Sequence, residues 1–132
     1  MYFKYVKIYF IHLICSIGIC SQIFGDLRFE EPMVFPAGGV STGAFPSDFD
    51  NDGDIDFAIA SREDNSVRIY LNDGTGTFSD PLFVETGVSP RYVEGGDFDN
   101  DGDVDLCTSD FGSDTVSVLL NDGAGIFTLA EQ

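Results

Sequence analysis

The 132-residue sequence contains no tryptophan, one histidine and only six lysine and arginine residues, against 23 aspartates and glutamates. The resulting net charge of -17 argues against any nucleic-acid-binding function. Both lysines and the histidine lie within the first 12 positions, which removes lysine and histidine chemistry from the rest of the chain. Hydrophobic residues at 43% and aromatic residues at 14% exceed what a disordered acidic segment contains, so we expect a folded core.

The N-terminal segment has the features of a signal peptide. Lys4 and Lys7 precede an apolar run from Ile8 to Cys20, which is shorter than the roughly 20 residues that a membrane-spanning helix needs. Small residues near its end suit cleavage before Ser21. We therefore predict a signal peptide at residues 1–20 and a secreted protein. An uncleaved membrane anchor and lipidation at Cys20 are the alternatives.

Cysteine is scarce in the part of the chain that follows. Cys15 and Cys20 would leave with the signal peptide, so Cys107 would remain as a single cysteine within an apolar stretch. We predict a buried free thiol at this position and no disulfide framework.

Residues 48–79 and 97–128 form a tandem repeat at a constant offset of 49 residues. Of the 32 aligned pairs, 15 are identical, and the alignment needs no gap. A period in this range indicates stacked supersecondary units, each burying its apolar face against a neighbour. The offset extends upstream, where Phe29 matches Phe78. We therefore assign residues 21–40 to a linker and the outer strand of a preceding unit.

Apolar residues alternate with polar ones within each unit, as at Val67, Ile69 and Leu71. This period of two predicts strands, and the glycine-rich segments 72–76 and 121–125 predict hairpin turns. Since no stretch after residue 20 has a convincing helical period, the predicted fold class is all-β. In the first unit, strands are expected at about 43–48, 56–61, 66–71 and 77–84. The predicted repeats span residues 41–86 and 87–132, the second being truncated at its last strand.

Each repeat contains a nine-residue acidic loop, at 48–56 and 97–105, with aspartate at positions 1, 3, 5, 7 and 9 and glycine at position 6. Such spacing is typical of a chain that wraps around one hard cation, and oxygen ligands at this density suit calcium. In this interpretation the aspartate at position 7 contributes its backbone carbonyl. The predicted metal residues of the two calcium sites are Asp48, Asp50, Asp52, Asp54, Asp56, Asp97, Asp99, Asp101, Asp103 and Asp105.

Other ions and other loop types fit the pattern less well. Magnesium prefers a compact octahedral shell with several waters, and transition metals would lack histidine or thiolate ligands here. Position 12 holds Ile59 or Thr108 where an EF-hand has glutamate, and the flanking segments are predicted strands. The carboxylates of one loop repel each other, so we expect calcium to act as a folding staple. An acidic solvated turn without a bound ion is the alternative.

The repeats resemble the FG-GAP and VCBS-type repeats of integrin α-subunit heads and many secreted bacterial proteins. The resemblance is carried by segments 96–106 and 115–123 followed by Phe127, and it covers residues 29–132. It implies a β-propeller in which each unit is a four-stranded blade whose first connection binds calcium. The first unit departs from the family pattern at Ser47, where glycine is usual. Because propellers generally need at least four blades, we expect two blades of a partial propeller.

These features predict a secreted, non-enzymatic calcium-binding repeat module with a structural or adhesive role that contacts protein or carbohydrate. No nucleophile is paired with a base in the repeats. Tyr92 and Phe111 are candidates for stacking on a sugar or for packing between blades. The alternatives are a fragment or accessory part of an extracellular polysaccharide-degrading enzyme and a piece of a longer adhesin. Self-association of chains is a further expectation, because it would complete a propeller.

Overall fold

The computed structural model describes residues 33–36 and 39–131 and confirms the all-β prediction for them. Eight strands form two four-stranded antiparallel sheets, and the described residues contain no helix. The two sheets correspond to two blades of a partial propeller. The predicted signal peptide and most of the predicted linker lie outside the described residues. Within the described part of the chain there is no helix long and apolar enough to cross a membrane.

Unit 1 is a meander in which each strand pairs with the next one along the chain. Its strands are β1 (Ala44–Ser47), β2 (Asp56–Ser61), β3 (Ser66–Tyr70) and β4 (Leu82–Glu85). Neighbouring side chains of a strand point to opposite faces of the sheet. The register between β2 and β3 therefore shows which residues share each face of unit 1. The docked face, which is turned towards unit 2, carries Ala58, Ala60, Val67 and Ile69. The opposite side, here called the leading face, carries Phe57, Ile59, Arg68 and Tyr70.

Unit 2 repeats this meander. Its strands are β5 (Pro90–Gly96), β6 (Asp105–Asp110), β7 (Thr115–Asn121) and β8 (Phe127–Glu131). The sequence offset places Leu106 and Leu119 where unit 1 has Phe57 and Tyr70, and these two leucines are fully buried against unit 1. The outward side of unit 2, here called the open face, carries Cys107, Ser109, Val116 and Val118.

The fourth strands of the two units begin at different repeat positions. The predicted strand at 77–84 begins only at Leu82, and Phe78 makes an isolated bridge to Asn72. Pro81 explains the delay, because proline has no backbone N–H to donate to a sheet. In unit 2 the equivalent position is Ala130, and β8 begins at Phe127, the residue equivalent to Phe78. The register between β7 and β8 shifts at Ala130, since Leu119 pairs with Leu129 and Val118 with Glu131.

The main core lies between the two units. It consists of the docked face of unit 1, the buried side chains of unit 2, and Phe49 from the first acidic loop. The ring of Phe49 is fully buried and packs edge-on against Phe127, with ring centroids 5.4 Å apart. Burial of this kind contributes about 25 cal/mol per Å² of apolar surface. Each unit therefore depends on its neighbour for a large part of its stabilisation.

Residues 33–36 pack on the leading face of unit 1. The ring of Phe35 lies 5.2 Å from that of Tyr70 and 4.9 Å from that of Phe78, both edge-on. The carbonyl oxygen of Pro36 accepts hydrogen bonds from Arg68 Nη1 and from the Tyr70 hydroxyl, each at 2.7 Å. The short segment therefore covers part of an apolar surface that unit 1 does not bury by itself.

Phe49→Ala should destabilise the protein by about 3–5 kcal/mol, because it opens a cavity in the core between the units. The repeat supplies a matched control in Phe98, which occupies the same position in unit 2 but is 47% exposed. Phe98→Ala should cost less than about 1 kcal/mol. Urea denaturation of dilute protein measures both values, and equal losses would contradict the assignment of Phe49 to the core.

Candidate metal centre

The acidic loops connect β1 to β2 and β5 to β6, and each is wound by hydrogen bonds from its own backbone to its own carboxylates. In the first loop, the amide of Gly53 donates to Asp48 Oδ2 at 3.0 Å and the amide of Asp54 donates to Asp52 Oδ1 at 2.9 Å. The second loop repeats these contacts from Gly102 to Asp97 and from Asp103 to Asp101, at 3.2 and 2.9 Å. Aspartate favours such local contacts over continued sheet pairing. The repeated sequence therefore produces a repeated loop conformation.

Two residues in each loop adopt the left-handed conformation. In the first loop φ is 59° at Asn51 and 96° at Gly53, and in the second it is 65° at Asn100 and 99° at Gly102. Asparagine and glycine tolerate this region best. The glycine predicted to permit the sharp turn thus has a backbone that other residues would adopt only under strain.

This winding brings three carboxylates together in each loop. The clusters are Asp48, Asp50 and Asp52 in unit 1, and Asp97, Asp99 and Asp105 in unit 2. Within each cluster, one carboxylate oxygen from each of the three residues lies within 4.8 Å of the other two. Calcium binds oxygen ligands at about 2.3–2.6 Å, so ligands on opposite sides of one ion are about 5 Å apart. The spacing of each cluster therefore fits a single calcium ion.

The aspartate at position 9 has a structural role in addition to its predicted role as a ligand. Asp56 is fully buried, and its two oxygens accept the amides of Phe49 and Asn72, both at 2.8 Å. In unit 2, Asp105 accepts the equivalent amides of Phe98 and Asn121 at 2.8 and 2.9 Å. Each carboxylate thus ties the start of its acidic loop to the end of the third strand. A carboxylate oxygen has a second lone pair, so these hydrogen bonds are compatible with metal binding.

The aspartate at position 7 extends away from the carboxylate cluster. A Cβ added at Gly74 would come within 2.4 Å of Asp54 Oδ2, and one added at Gly123 would come within 2.5 Å of Asp103 Oδ2. Both side chains therefore lie against the hairpin turn of their own unit. This placement agrees with the prediction that position 7 contributes a backbone carbonyl, although the ligand set stays a prediction.

The first loop also contacts unit 2 directly. Asn51 Nδ2 donates to Asp103 Oδ1 at 2.9 Å and to the carbonyl of Gly123 at 3.2 Å. In the other direction, Asn121 Nδ2 and the amide of Gly125 both donate to the carbonyl of Phe49, at 2.8 and 3.0 Å. The candidate site of unit 1 is therefore held in place by the hairpin of the next unit.

Sequence reasoning did not identify Asn51 and Asn121 as functional positions. Their signal was nevertheless present, since each asparagine recurs in the other copy of the repeat, Asn51 as Asn100 and Asn121 as Asn72. Both side chains donate hydrogen bonds between the units, and neither copy of the repeat indicates such a contact on its own.

The clustered carboxylates shift the protonation equilibria of the loops. Loss of solvation raises the pKa of Asp50, and the neighbouring carboxylates of Asp56 and Asp52 raise it further. Loss of solvation likewise raises the pKa of Asp99, and the carboxylates of Asp101 and Asp105 add to the increase. Both shifts indicate that negative charge in these loops lacks a compensating partner within the chain. A bound cation would supply that partner.

Of the ten predicted metal residues, six lie in the two clusters. Asp56 and Asp101 lie close enough to their clusters to raise the pKa of a clustered aspartate. Asp54 and Asp103 lie against the hairpins. The six clustered residues are Asp48, Asp50, Asp52, Asp97, Asp99 and Asp105.

Comparison with known proteins adds a family match. Residues 48–108 match the model of the FG-GAP-like repeat family, a region that contains both acidic loops and the whole of unit 1 from its loop onward. No curated protein and no solved structure matches the chain.

Asp56→Ala should destabilise the protein by about 2–6 kcal/mol, because the amides of Phe49 and Asn72 would both lose their acceptor in a buried position. Asp80→Ala is the matched control, because Asp80 is exposed and lies outside both loops. It should change stability by less than about 0.5 kcal/mol. Chemical denaturation with and without calcium measures both effects. Comparable losses for the two variants would contradict the structural role of Asp56.

Proposed function

We propose that this chain, whose residues 48–108 match the FG-GAP-like repeat family, is a secreted, non-enzymatic calcium-binding repeat module. The resemblance to repeats of secreted proteins implies an extracellular location, which agrees with the predicted signal peptide at residues 1–20. The proposed role is structural or adhesive, through contact with an extracellular protein or carbohydrate.

The observation that carries the calcium proposal is the duplication of one carboxylate cluster. Two loops with the same sequence pattern adopt the same winding and each gather three aspartates within the reach of one ion. A solvated acidic turn gains nothing from placing its carboxylates so close, because like charges repel. Calcium accepts several carboxylate and carbonyl oxygens at flexible angles, and the loops offer both kinds of oxygen.

Calcium would act here as a structural element of the blade. The chain carries 23 acidic side chains, and ten of these lie in the two loops. An ion bound to the clustered carboxylates offsets their repulsion, while Asp56 and Asp105 connect each loop to the adjacent hairpin. Anything that binds the folded state preferentially stabilises it. Calcium occupancy should therefore be coupled to the stability of the whole unit.

The exposed aromatic residues support a contact function without specifying a partner. Tyr92 and Phe111 are 59% and 60% exposed, and the Arg91 guanidinium lies 3.6 Å from the centroid of the Phe111 ring. A solvent-accessible aromatic ring stacked on arginine is a common element of recognition surfaces. The described residues contain no histidine or lysine, and the clustered aspartates are assigned to a cation in this proposal.

Calorimetric titration of the calcium-free full chain should give two calcium sites per chain, with much weaker magnesium binding. Asp50→Ala and Asp99→Ala each remove one clustered carboxylate, so each should weaken one site by at least about tenfold and leave the other unchanged. Asp80→Ala serves as the control and should bind both ions normally. Two unchanged sites in all three variants would exclude these loops as the calcium ligands.

The stabilisation that calcium provides should grow as pH rises from about 4 to about 6. Asp50 and Asp99 have a raised pKa in the metal-free folded chain. Their protonated forms therefore favour folding at low pH, and this contribution is lost as pH rises through the folded pKa. Calcium binds the ionised carboxylates, so the stabilisation that it adds increases as pH rises. Melting temperatures measured with and without calcium across this pH range test the prediction. A calcium-dependent increase in melting temperature that does not change with pH would contradict the proposal.

A further inference from the structure

The two units of the chain bury one face each and leave two complementary faces without a neighbouring unit. The docked face of unit 1 is fully buried at Val67, whereas its repeat equivalent on the open face of unit 2, Val116, is 55% exposed. Phe49 and Phe98 differ in the same way, from fully buried to 47% exposed. The exposed residues of unit 2 are thus the repeat counterparts of an interface that already exists within the chain.

The leading face of unit 1 is the counterpart of the surface that unit 2 presents to unit 1. Val104 is partly buried and packs against the core between the units, whereas its equivalent Ile55 is 52% exposed. The residues equivalent to the buried Leu106 and Leu119 are Phe57 and Tyr70. One chain therefore carries both halves of a second interface, on opposite sides of the molecule.

The polar contacts between the units are duplicated as well. Within the chain, the Phe49 carbonyl accepts hydrogen bonds from Asn121 and Gly125. The repeat equivalents are the carbonyl of Phe98 on unit 2, and Asn72 and Gly76 on unit 1. Gly76 and Gly125 share the left-handed conformation, with φ of 84° and 73°. The donors of one copy therefore have the same local geometry as the donors already in use.

Residues 33–36 show how a further copy of the repeat would lie on the leading face of unit 1. They stand at the repeat position of β4, the outer strand of unit 1. Phe35 contacts Phe57, Tyr70 and Phe78. The repeat equivalents of these three residues are Leu106, Leu119 and Phe127. They belong to the core cluster between the units, and Val84 of β4 packs against that cluster. The segment thus lies on unit 1 as the outer strand of a preceding blade would.

The outer edge of unit 2 is the place where such a segment would pair. Whereas β4 pairs with β3 from Ser66 to Ile69, β8 pairs with β7 only from Val118 to Asn121. In the described part of the chain, residues 115–117 pair on one side alone, with β6. Residues 33–36 of another copy have the repeat position that would lie beside them.

We propose that the chain self-associates head to tail, the open face of unit 2 in one copy docking on the leading face of unit 1 in the next. The contact is heterologous, because two different surfaces meet, and it can therefore close a ring or continue as a chain of copies. Tyr92 and Glu94 stand where unit 1 has Gly43 and Phe45. An added Cβ at Gly43 would lie 2.9 Å from Tyr92 Cα, so the backbones of β5 in one copy and β1 in the next must lie farther apart in the new interface than β1 and β5 do within the chain.

Sedimentation velocity of the full chain in calcium tests this arrangement. The full chain should form species heavier than one 14.4-kDa chain. Val116→Asp on the open face and Ile55→Asp beside the leading face should each raise the dissociation constant at least about tenfold, because each would bury an unpaired charge. The control is Val88→Asp, an exposed valine in the connection between β4 and β5, which should associate normally.

A mixture of the two variants gives the most specific result. The Val116→Asp copy keeps an intact leading face, and the Ile55→Asp copy keeps an intact open face. The mixture should therefore form one-to-one dimers that cannot grow further, while each variant alone stays monomeric. A full chain that is monomeric at all concentrations would overturn the proposal. So would variants that associate as tightly as the unaltered chain, or a mixture that fails to pair.

Thiol labelling of Cys107 supplies a readout in the unaltered chain. Cys107 lies on the open face at the repeat position of the fully buried Ala58. Labelling followed by mass spectrometry of the peptide containing Cys107 should slow at concentrations where the chain associates, and it should not slow in the Val116→Asp variant. Equal labelling rates in associated and dissociated protein would place the contact elsewhere and overturn the proposal.

Discussion

Two buried carboxylates hold the rest of this structure in place. Asp56 and Asp105 each accept two backbone amides, one from the start of the acidic loop and one from the end of the third strand. Removing a carboxylate from water is costly unless its oxygens find donors, and the repeat provides both donors each time. This connection joins the loop to the hairpin in both units, whereas the burial of Phe49 depends on unit 2, since the equivalent Phe98 makes the same hydrogen bond and is 47% exposed. The clustered aspartates can gather at the loop surface because the loop is anchored beneath them.

The same connection links the candidate metal centre to the contact between units. The first loop carries its carboxylate cluster on one side, and through Asn51 and the Phe49 carbonyl it holds the hairpin of unit 2 on the other. An ion that orders the loop would therefore order the contact between the blades as well. In this account calcium binding, the packing between the blades and any contact with further chains are energetically coupled. The stability of all three depends on how far a bound ion offsets the negative charge of the loops.

Much of this arrangement could be predicted from the sequence because the repeat duplicates its signals. The period of two located β2 at its observed bounds, and the aspartate spacing located both loops. The predicted fourth strand of unit 1 begins at residue 77, whereas β4 begins at Leu82, because Pro81 has no backbone N–H to donate to the sheet. The structural role of Asp56 as an acceptor of two backbone amides was not predicted either. Its amide partners lie seven and sixteen residues away, and no local pattern indicates a hydrogen bond that forms only when the blade closes. The sequence also does not indicate which of two equivalent residues is buried, such as Val67, and which is exposed, such as Val116. That difference depends on how the two units pack against each other.

The most direct test of the central claim is a crystal structure of the full chain grown in calcium, with anomalous diffraction used to locate the ions. The account predicts one anomalous peak in each acidic loop, at about 2.3–2.6 Å from oxygens of Asp48, Asp50 and Asp52 in one and of Asp97, Asp99 and Asp105 in the other. Loops that keep this conformation in calcium but show only water between their carboxylates would contradict it.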